Sequence, residues 1–241
     1  MAIPEIKALL FDVFGTVVDW RTSVKEYILA RSPESIKTSV DWNEFTQEWR
    51  DGYFKFVSDN SNDDAASVFN SFLSVDQQYR QALDVLVEKY GIEGVWTEEQ
   101  KDDIATSWHY LKGWDDTVEG LTLLKSKFII GTLSNGNMRL LVDMAKYAEL
   151  PWDVVFSSEL FKIYKPSPRV YLGATEYLQL KPENVLMVAA HMYDLEAAKE
   201  NGLYTAYVVR RGEDIGRTAS PEEVDYFVSD FVELYKQLTA E

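Results

Sequence analysis

ALLFDVFGTVVDW, residues 8–20, opens with an apolar run over 8–14 that is broken by one acid, Asp12, and followed by a turn at Gly15 and Thr16. A short apolar run without polar alternation is what a strand buried on both faces requires. Ala8 to Phe14 therefore reads as the first strand of a parallel sheet. Further runs read the same way over Phe128 to Leu133, Val154 to Ser158, Val185 to Ala190, Thr205 to Arg210 and Tyr226 to Ser229. Helical patterns separate the later ones, over Met138 to Glu149, Pro168 to Leu180 and Leu195 to Asn201. Strands alternating with helices predict an α/β fold: a doubly wound parallel sheet with right-handed connections.

The interval from Trp20 to Trp114 breaks that rhythm. It shows no strand pattern, only helical ones: DWNEFTQEWRDGYFKFV (41–57), Ala66 to Tyr90, and TEEQKDDIATSWHYL (97–111). Thr97, followed by glutamates, is a helix-start signal. SDNSNDDA (58–65) and YGIEG (90–94) read as turns. The division expected is a core of 1–19 and 114–241 with an inserted all-helical cap of 20–113, and a site in the cleft between them.

Composition narrows the chemistry. The 241 residues include no cysteine, which removes disulfides, thiolate metal sites and cysteine nucleophiles, and His109 and His191 are the only histidines. Glu5, Lys7 and Asp12 interrupt the first apolar stretch, so it does not read as a signal peptide. No run approaches the roughly 20 apolar residues of a membrane helix. A cytoplasmic protein without membrane contact is expected. The net charge of −16 argues against nucleic acid, which is bound by clustered Lys and Arg. An anionic substrate would need a local cation or backbone N–H groups, and Arg50 and Lys165 are the cations to watch.

Ligands of open parallel sheets sit beyond the C-terminal ends of the strands. Asp12 and Thr16 follow the first run, Ser134 and Asn135 the second, Lys165 the third, and His191 and Asp194 the fourth. Four strands thus bring acids, a hydroxyl, an amide and a lysine to one edge.

These motifs, in order DVFGT (12–16), LSN (133–135), YKP (164–166) and AAHMYD (189–194), resemble the haloacid dehalogenase superfamily over almost the whole chain. The resemblance implies a Rossmann-like core, and the helical insert matches the position of that family's cap. Phosphatase members carry a second Asp two residues after the nucleophile, where this chain has Phe14. They also carry an acid where it has Ala190. Magnesium needs oxygen ligands, and both places are hydrocarbon here. A halide, unlike an alkoxide, leaves without protonation. The narrower resemblance is to type II L-2-haloacid dehalogenases, which use no metal or other cofactor.

That resemblance implies attack by Asp12 on the halogen-bearing carbon, inversion, and hydrolysis of the resulting ester. Lys165 would keep Asp12 ionised, and Thr16 would orient it or simply cap a turn. Ser134 and the backbone amides at Phe14 and Gly15 would bind the substrate carboxylate. Arg50, in EWRDGY (48–53), matches the arginine that receives the halide, with Asn135 completing that site; an exposed helix arginine is the alternative. Tyr171 closes the pocket or is a core tyrosine. Asp194 positions or deprotonates the hydrolytic water.

The fourth motif departs from the dehalogenases, which commonly have Ser and Asn where this chain has Ala189 and His191. His191 is open to three readings: a hydrogen-bond partner, a general base, or a structural residue. His109, Asp102-Asp103 and Asp115-Asp116 read as packing or solvated faces, Asn137 as a helix cap, and Arg210-Arg211-Gly212 as an exposed loop. A phosphohydrolase with an atypical metal site and a non-catalytic binding protein are the competing functions. The expected partners are a haloacid and its halide, and a homodimer is an assembly the resemblance allows.

Overall fold

The computed structural model describes residues 5–60, 75–217 and 219–240. Its strands are β1 (Ala8–Phe11), β2 (Val18–Asp19), β3 (Lys112–Gly113), β4 (Ile129–Ser134), β5 (Val154–Ser157), β6 (Val185–Ala189), β7 (Tyr204–Val208) and β8 (Tyr226–Val228). Six of them form one parallel sheet in the order β5-β4-β1-β6-β7-β8. The chain builds outward from β1 on one side, then returns to build on the other. The C-terminal end of β1 is therefore the switch point, where such sheets open a crevice.

The apolar run of β1 is continuous because both of its faces are covered. Leu9 and Phe11 pack into one buried cluster with Ile130, Leu186 and Val188. Ala8 and Leu10 face the other way, with Leu133, Met187 and Ala189. Each fully buried Leu or Phe of this kind contributes about 1.5–3 kcal/mol relative to exposure. The strand ends at Phe11, three residues before the expected Phe14. Beyond it the chain turns back on itself, with Val17 N and Val18 N both donating to Val13 O.

The insert between β2 and β3 contains α1 (Trp20–Arg31), α2 (Glu34–Lys37), α3 (Trp42–Asn60), α4 (Val75–Lys89), α5 (Glu98–Ala105) and a 3-10 turn over Thr106–His109. Thr97 forms a full capping box with Gln100 at the start of α5. Ser58 to Asn60, read as turn, continue α3. The rest of that expected turn and residues 66–74 of the expected helix lie outside the described residues. Lys112–Gly113, in an interval read as free of strand, pairs antiparallel with β2 and closes the neck of the insert. A two-residue strand carries too little periodicity to be legible. The insert's core is aromatic: Tyr79 stacks on Trp108 with ring centroids 3.9 Å apart, and Trp49 meets both edge-on.

The remaining helices are α6 (Thr117–Lys125), α7 (Met138–Tyr147), α8 (Ser158–Phe161), α9 (Pro168–Tyr177), α10 (Met192–Glu200) and α11 (Phe231–Thr239). Helix α10 starts three residues before the expected Leu195, which puts Asp194 in its first turn. Among the described residues no helix is long and apolar enough to cross a membrane.

Candidate active site

Asp12 is the first residue beyond β1, and its backbone N–H donates to Val188 O of β6. That bond seats its carboxyl beside the segment that follows β6. Thr16 Oγ1 donates to Asp12 Oδ2 at 2.9 Å and accepts from Ala190 N at 2.9 Å, locking the turn to the same segment. Lys165 Nζ lies 3.1 Å from Asp12 Oδ1, and His191 Nδ1 lies 3.2 Å from Asp12 Oδ2. Burial alone would push the Asp12 carboxyl up. The Lys165 ammonium and the His191 ring outweigh it and hold Asp12 well below the usual carboxylate range.

Lys165 is positioned through its backbone. Asn135, at the end of β4, accepts from Lys165 N at 2.7 Å and donates to Lys165 O at 3.3 Å. The ammonium, buried with 2% exposure, also donates to Asp194 Oδ2. Burial opposes its charge, but Asp12 and Asp194 together raise its pKa. Tyr171, on α9, donates its hydroxyl to Asp194 Oδ1 at 2.6 Å. Burial raises Asp194, offset only in part by Lys165, and the neighbouring Asp12 pushes it the same way. The two carboxyls that share Lys165 are thus driven apart, with Asp12 the stronger acid.

His191 stands between two carboxylates. Its Nε2 lies 2.9 Å from Glu213 Oε2, opposite Asp12. Burial disfavours the charged ring, but hydrogen bonds to Asp12 and Glu213 raise its pKa to about 9. With a carboxylate oxygen facing each ring nitrogen, the charged, doubly protonated ring is favoured in this resting state. Glu213 also accepts from Trp20 Nε1 at 2.8 Å, and Asp214 caps Met192 N at the start of α10.

Arg50 comes from α3. Its guanidinium carbon lies 4.8 Å from the Phe14 ring centroid and 5.6 Å from that of Trp20, and Nη1 donates to Tyr79 Oη at 2.9 Å. It is 4% exposed, so it is not a solvent-facing helix arginine.

A haloacid dehalogenase-like hydrolase family model matches residues 6–202. The chain belongs to that family of hydrolases. In fold it is similar to the L-2-haloacid dehalogenase PA0810, with a TM-score of 0.85 and 37% identity over 97% of this chain and 100% of that one. The defluorinating L-2-haloacid dehalogenase Rha0230 gives 0.83 and 37%, covering 98% and 96%. The (S)-2-haloacid dehalogenase 4A of Burkholderia cepacia is 26% identical, covering 87% of this chain and 86% of its own.

Within this haloacid dehalogenase-like frame the residues singled out in the sequence converge, with some corrections. Gly15 N donates to Val18 O, so that amide is spent inside the turn and is not turned to a substrate carboxylate. Ser134 Oγ accepts from Gly136 N. Asn135 acts on Lys165, and its Oδ1 also accepts from Ser158 at 2.6 Å. Asn137 stands at the N-cap of α7 as expected, but its side chain donates to Asp76 and the capping bond from Met138 N goes to Glu159.

His109 and Asp116 are not solvated faces. His109 bridges Asp76 and Asp143, while Asp116 holds Arg210 through both guanidinium ends. Arg210 is buried and donates to Thr16 O, bracing the turn that follows Asp12. Glu213, Trp20, Tyr79 and Trp108 were missed. Glu213 follows the fifth strand of the sheet at the same edge, which is the only signal the sequence offers for it, and that signal does not give the direction of its side chain.

Proposed function

We propose that the chain is a hydrolytic dehalogenase that converts short (S)-2-haloacids to (R)-2-hydroxyacids and halide, with Asp12 as nucleophile. The observation that carries this reading is the setting of Asp12. It is a buried carboxylate kept ionised by Lys165 and His191, in the same turn as Phe14, whose ring packs against the buried Arg50 guanidinium, in a chain similar throughout to (S)-2-haloacid dehalogenases.

An Asp12 oxygen bonds to C2 of the substrate as the carbon–halogen bond breaks, and the halide leaves with the electron pair. Attack from the side opposite the halogen inverts C2. Arg50 stabilises the charge growing on the halogen, its guanidinium fixed by Phe14, Trp20 and Tyr79 where water cannot compete. Thr16 and Lys165 orient the nucleophile, and Asn135 and Asp194 hold Lys165 in place. Ser134 and the backbone at Phe14 receive the substrate carboxylate, Gly15 shapes the turn beside them, and Tyr171 closes the pocket.

Water then attacks the ester carbonyl of Asp12. We take His191 as its proton acceptor, because esterification removes the Asp12 charge that faces Nδ1, whereas both Asp194 oxygens stay engaged by Lys165 and Tyr171.

The same proposal takes 1–19 with 114–241 as the core domain and 20–113 as the cap, and places the protein in the cytoplasm as a homodimer. Halide release from (S)-2-chloropropionate in EDTA, giving (R)-lactate, is the expected result. Magnesium-dependent phosphate release without halide release would overturn it. Asp12→Asn is expected to abolish turnover.

A further inference from the structure

Helix α9 turns Tyr171 inward to Asp194 and leaves its opposite face exposed. On that face Leu172 is 41% exposed and Tyr177 64%, and Leu160 of the neighbouring α8 is 44% exposed. Apolar side chains exposed singly are ordinary, but these three edge one groove of about 630 Å³, together with Phe161, Pro168 and Gly173. The groove has a fixed shape. Tyr177 is held against Phe156 and Phe161, with ring centroids 5.9 and 6.0 Å away. A Cβ at Gly173 would lie 2.6 Å from Phe161 Cε1, so the glycine lets that ring rest on the helix backbone and form the floor.

Charge is placed symmetrically about this floor. Arg169 and Glu176 are both exposed, two helical turns apart on one face, and equally spaced on either side of the Leu172–Gly173 bond. Neither makes an ion pair or a side-chain hydrogen bond among the described residues. A twofold axis crossing α9 at that bond sets two copies antiparallel and places each Arg169 opposite the Glu176 of the other. Each Leu172 then meets its own counterpart at the axis. Net charge favours the same face. At −16 two copies repel each other, whereas the groove lining holds two cations, Lys162 and Arg169, against one acid.

We infer that the outer face of α9, with α8 beside it, is where a second copy of this chain docks, the two α9 helices running antiparallel about an axis at Leu172 and Gly173. This rests on the homodimer proposed above and names its surface; it does not depend on the reaction. Burial of Leu160, Leu172 and Tyr177 supplies the attraction. The two Arg169–Glu176 pairs at the rim add little affinity but fix register and direction. A parallel pairing would set Arg169 on Arg169 and Glu176 on Glu176, so the charges also reject the wrong arrangement. The interface and the active site use opposite sides of one helix.

Sedimentation equilibrium at several concentrations gives the dimer dissociation constant. Arg169→Glu and Glu176→Arg each leave like charges facing at both ends of the contact, and each should weaken the dimer at least about tenfold. Mixed in equal amounts, the two variants should pair with each other at close to wild-type strength, because one then carries acids at both positions and the other arginines. Local distortion does not produce that rescue, and both side chains are exposed, so neither change disturbs the core. In the wild type, amide exchange at high against low concentration should show protection gained on α8 and α9, a measurement that needs no variant. A dimer indifferent to both reversals, reversals that are not rescued on mixing, or protection gained only elsewhere overturns this surface and leaves the homodimer standing. A wild type that is monomeric at every concentration overturns both.

Discussion

Lys165 Nζ lies 2.5 Å from Asp194 Oδ2 while also donating to Asp12 Oδ1, so one buried ammonium separates two buried carboxyls. Removing the cation leaves the two acids facing each other with nothing to offset their desolvation. Asp12 depends on Lys165 for its low pKa. Lys165→Met is therefore expected to move the acid limb of the kcat/KM profile upward, because Asp12 then ionises at higher pH. The variant should also lose about 3–5 kcal/mol of stability, the usual cost of breaking a buried pair. A pH–rate series and urea unfolding check both parts, and an unmoved acid limb would count against the pairing.

His191 makes stability depend on pH with a definite sign. Its pKa rises from 6.5 in the unfolded chain to about 9 in the fold, so protonation favours folding. The contribution is fully present below about pH 6.5 and is lost as pH rises through about 9. A shift of that size corresponds to roughly 3 kcal/mol. His109, between Asp76 and Asp143, is raised as well and adds a slope of the same sign. The difference between wild type and His191→Asn isolates the term. Unfolding free energies at pH 6, 8 and 10 should show the wild-type advantage shrinking; a constant difference would refute it.

The legibility of this site divides along a physical line. Asp12, Lys165, His191 and Asp194 could be read from the sequence because each follows a buried apolar run, and a parallel sheet delivers all such positions to one edge. Glu213 follows a strand too, but its direction depends on a loop that turns through positive φ at Gly212 and Asp214. The cage around Arg50 was hidden for another reason. Trp20, Tyr79 and Trp108 look like ordinary core residues, and their meeting depends on how α1, α4 and the 3-10 turn pack. Asp116 and Arg210, 94 positions apart, looked solvent-facing because charge alone does not reveal a long-range partner.

Arg50 offers a planar cation held by ring faces and by Tyr79, a fit that an ammonium does not reproduce. Arg50→Lys keeps the charge and loses the planar fork. The alkylation step should slow by about 10²–10³-fold, the usual cost of losing one preorganised donor. Hydrolysis of the ester once formed should be nearly unchanged, because the halide has already left. Quenched-flow measurement separates the two steps. Equal slowing of both would place Arg50 in the general architecture and not at the leaving group.

Gly15 has no side chain for two reasons that act together. Its φ is +85°, a conformation L residues rarely adopt, and a Cβ placed there would lie 2.5 Å from Glu213 Cδ. Gly15→Ala must therefore strain the backbone, costing about 1–3 kcal/mol, and drive the Glu213 carboxylate away. Since that carboxylate holds His191, the variant should slow ester hydrolysis more than halide release, a split that backbone strain alone does not produce. Thermal unfolding reads the first effect and single-turnover halide release against hydroxyacid formation reads the second. An alanine variant with wild-type stability and an unaltered ratio of the two steps would show that the loop yields freely, and that its close approach to Gly15 does not set the position of Glu213.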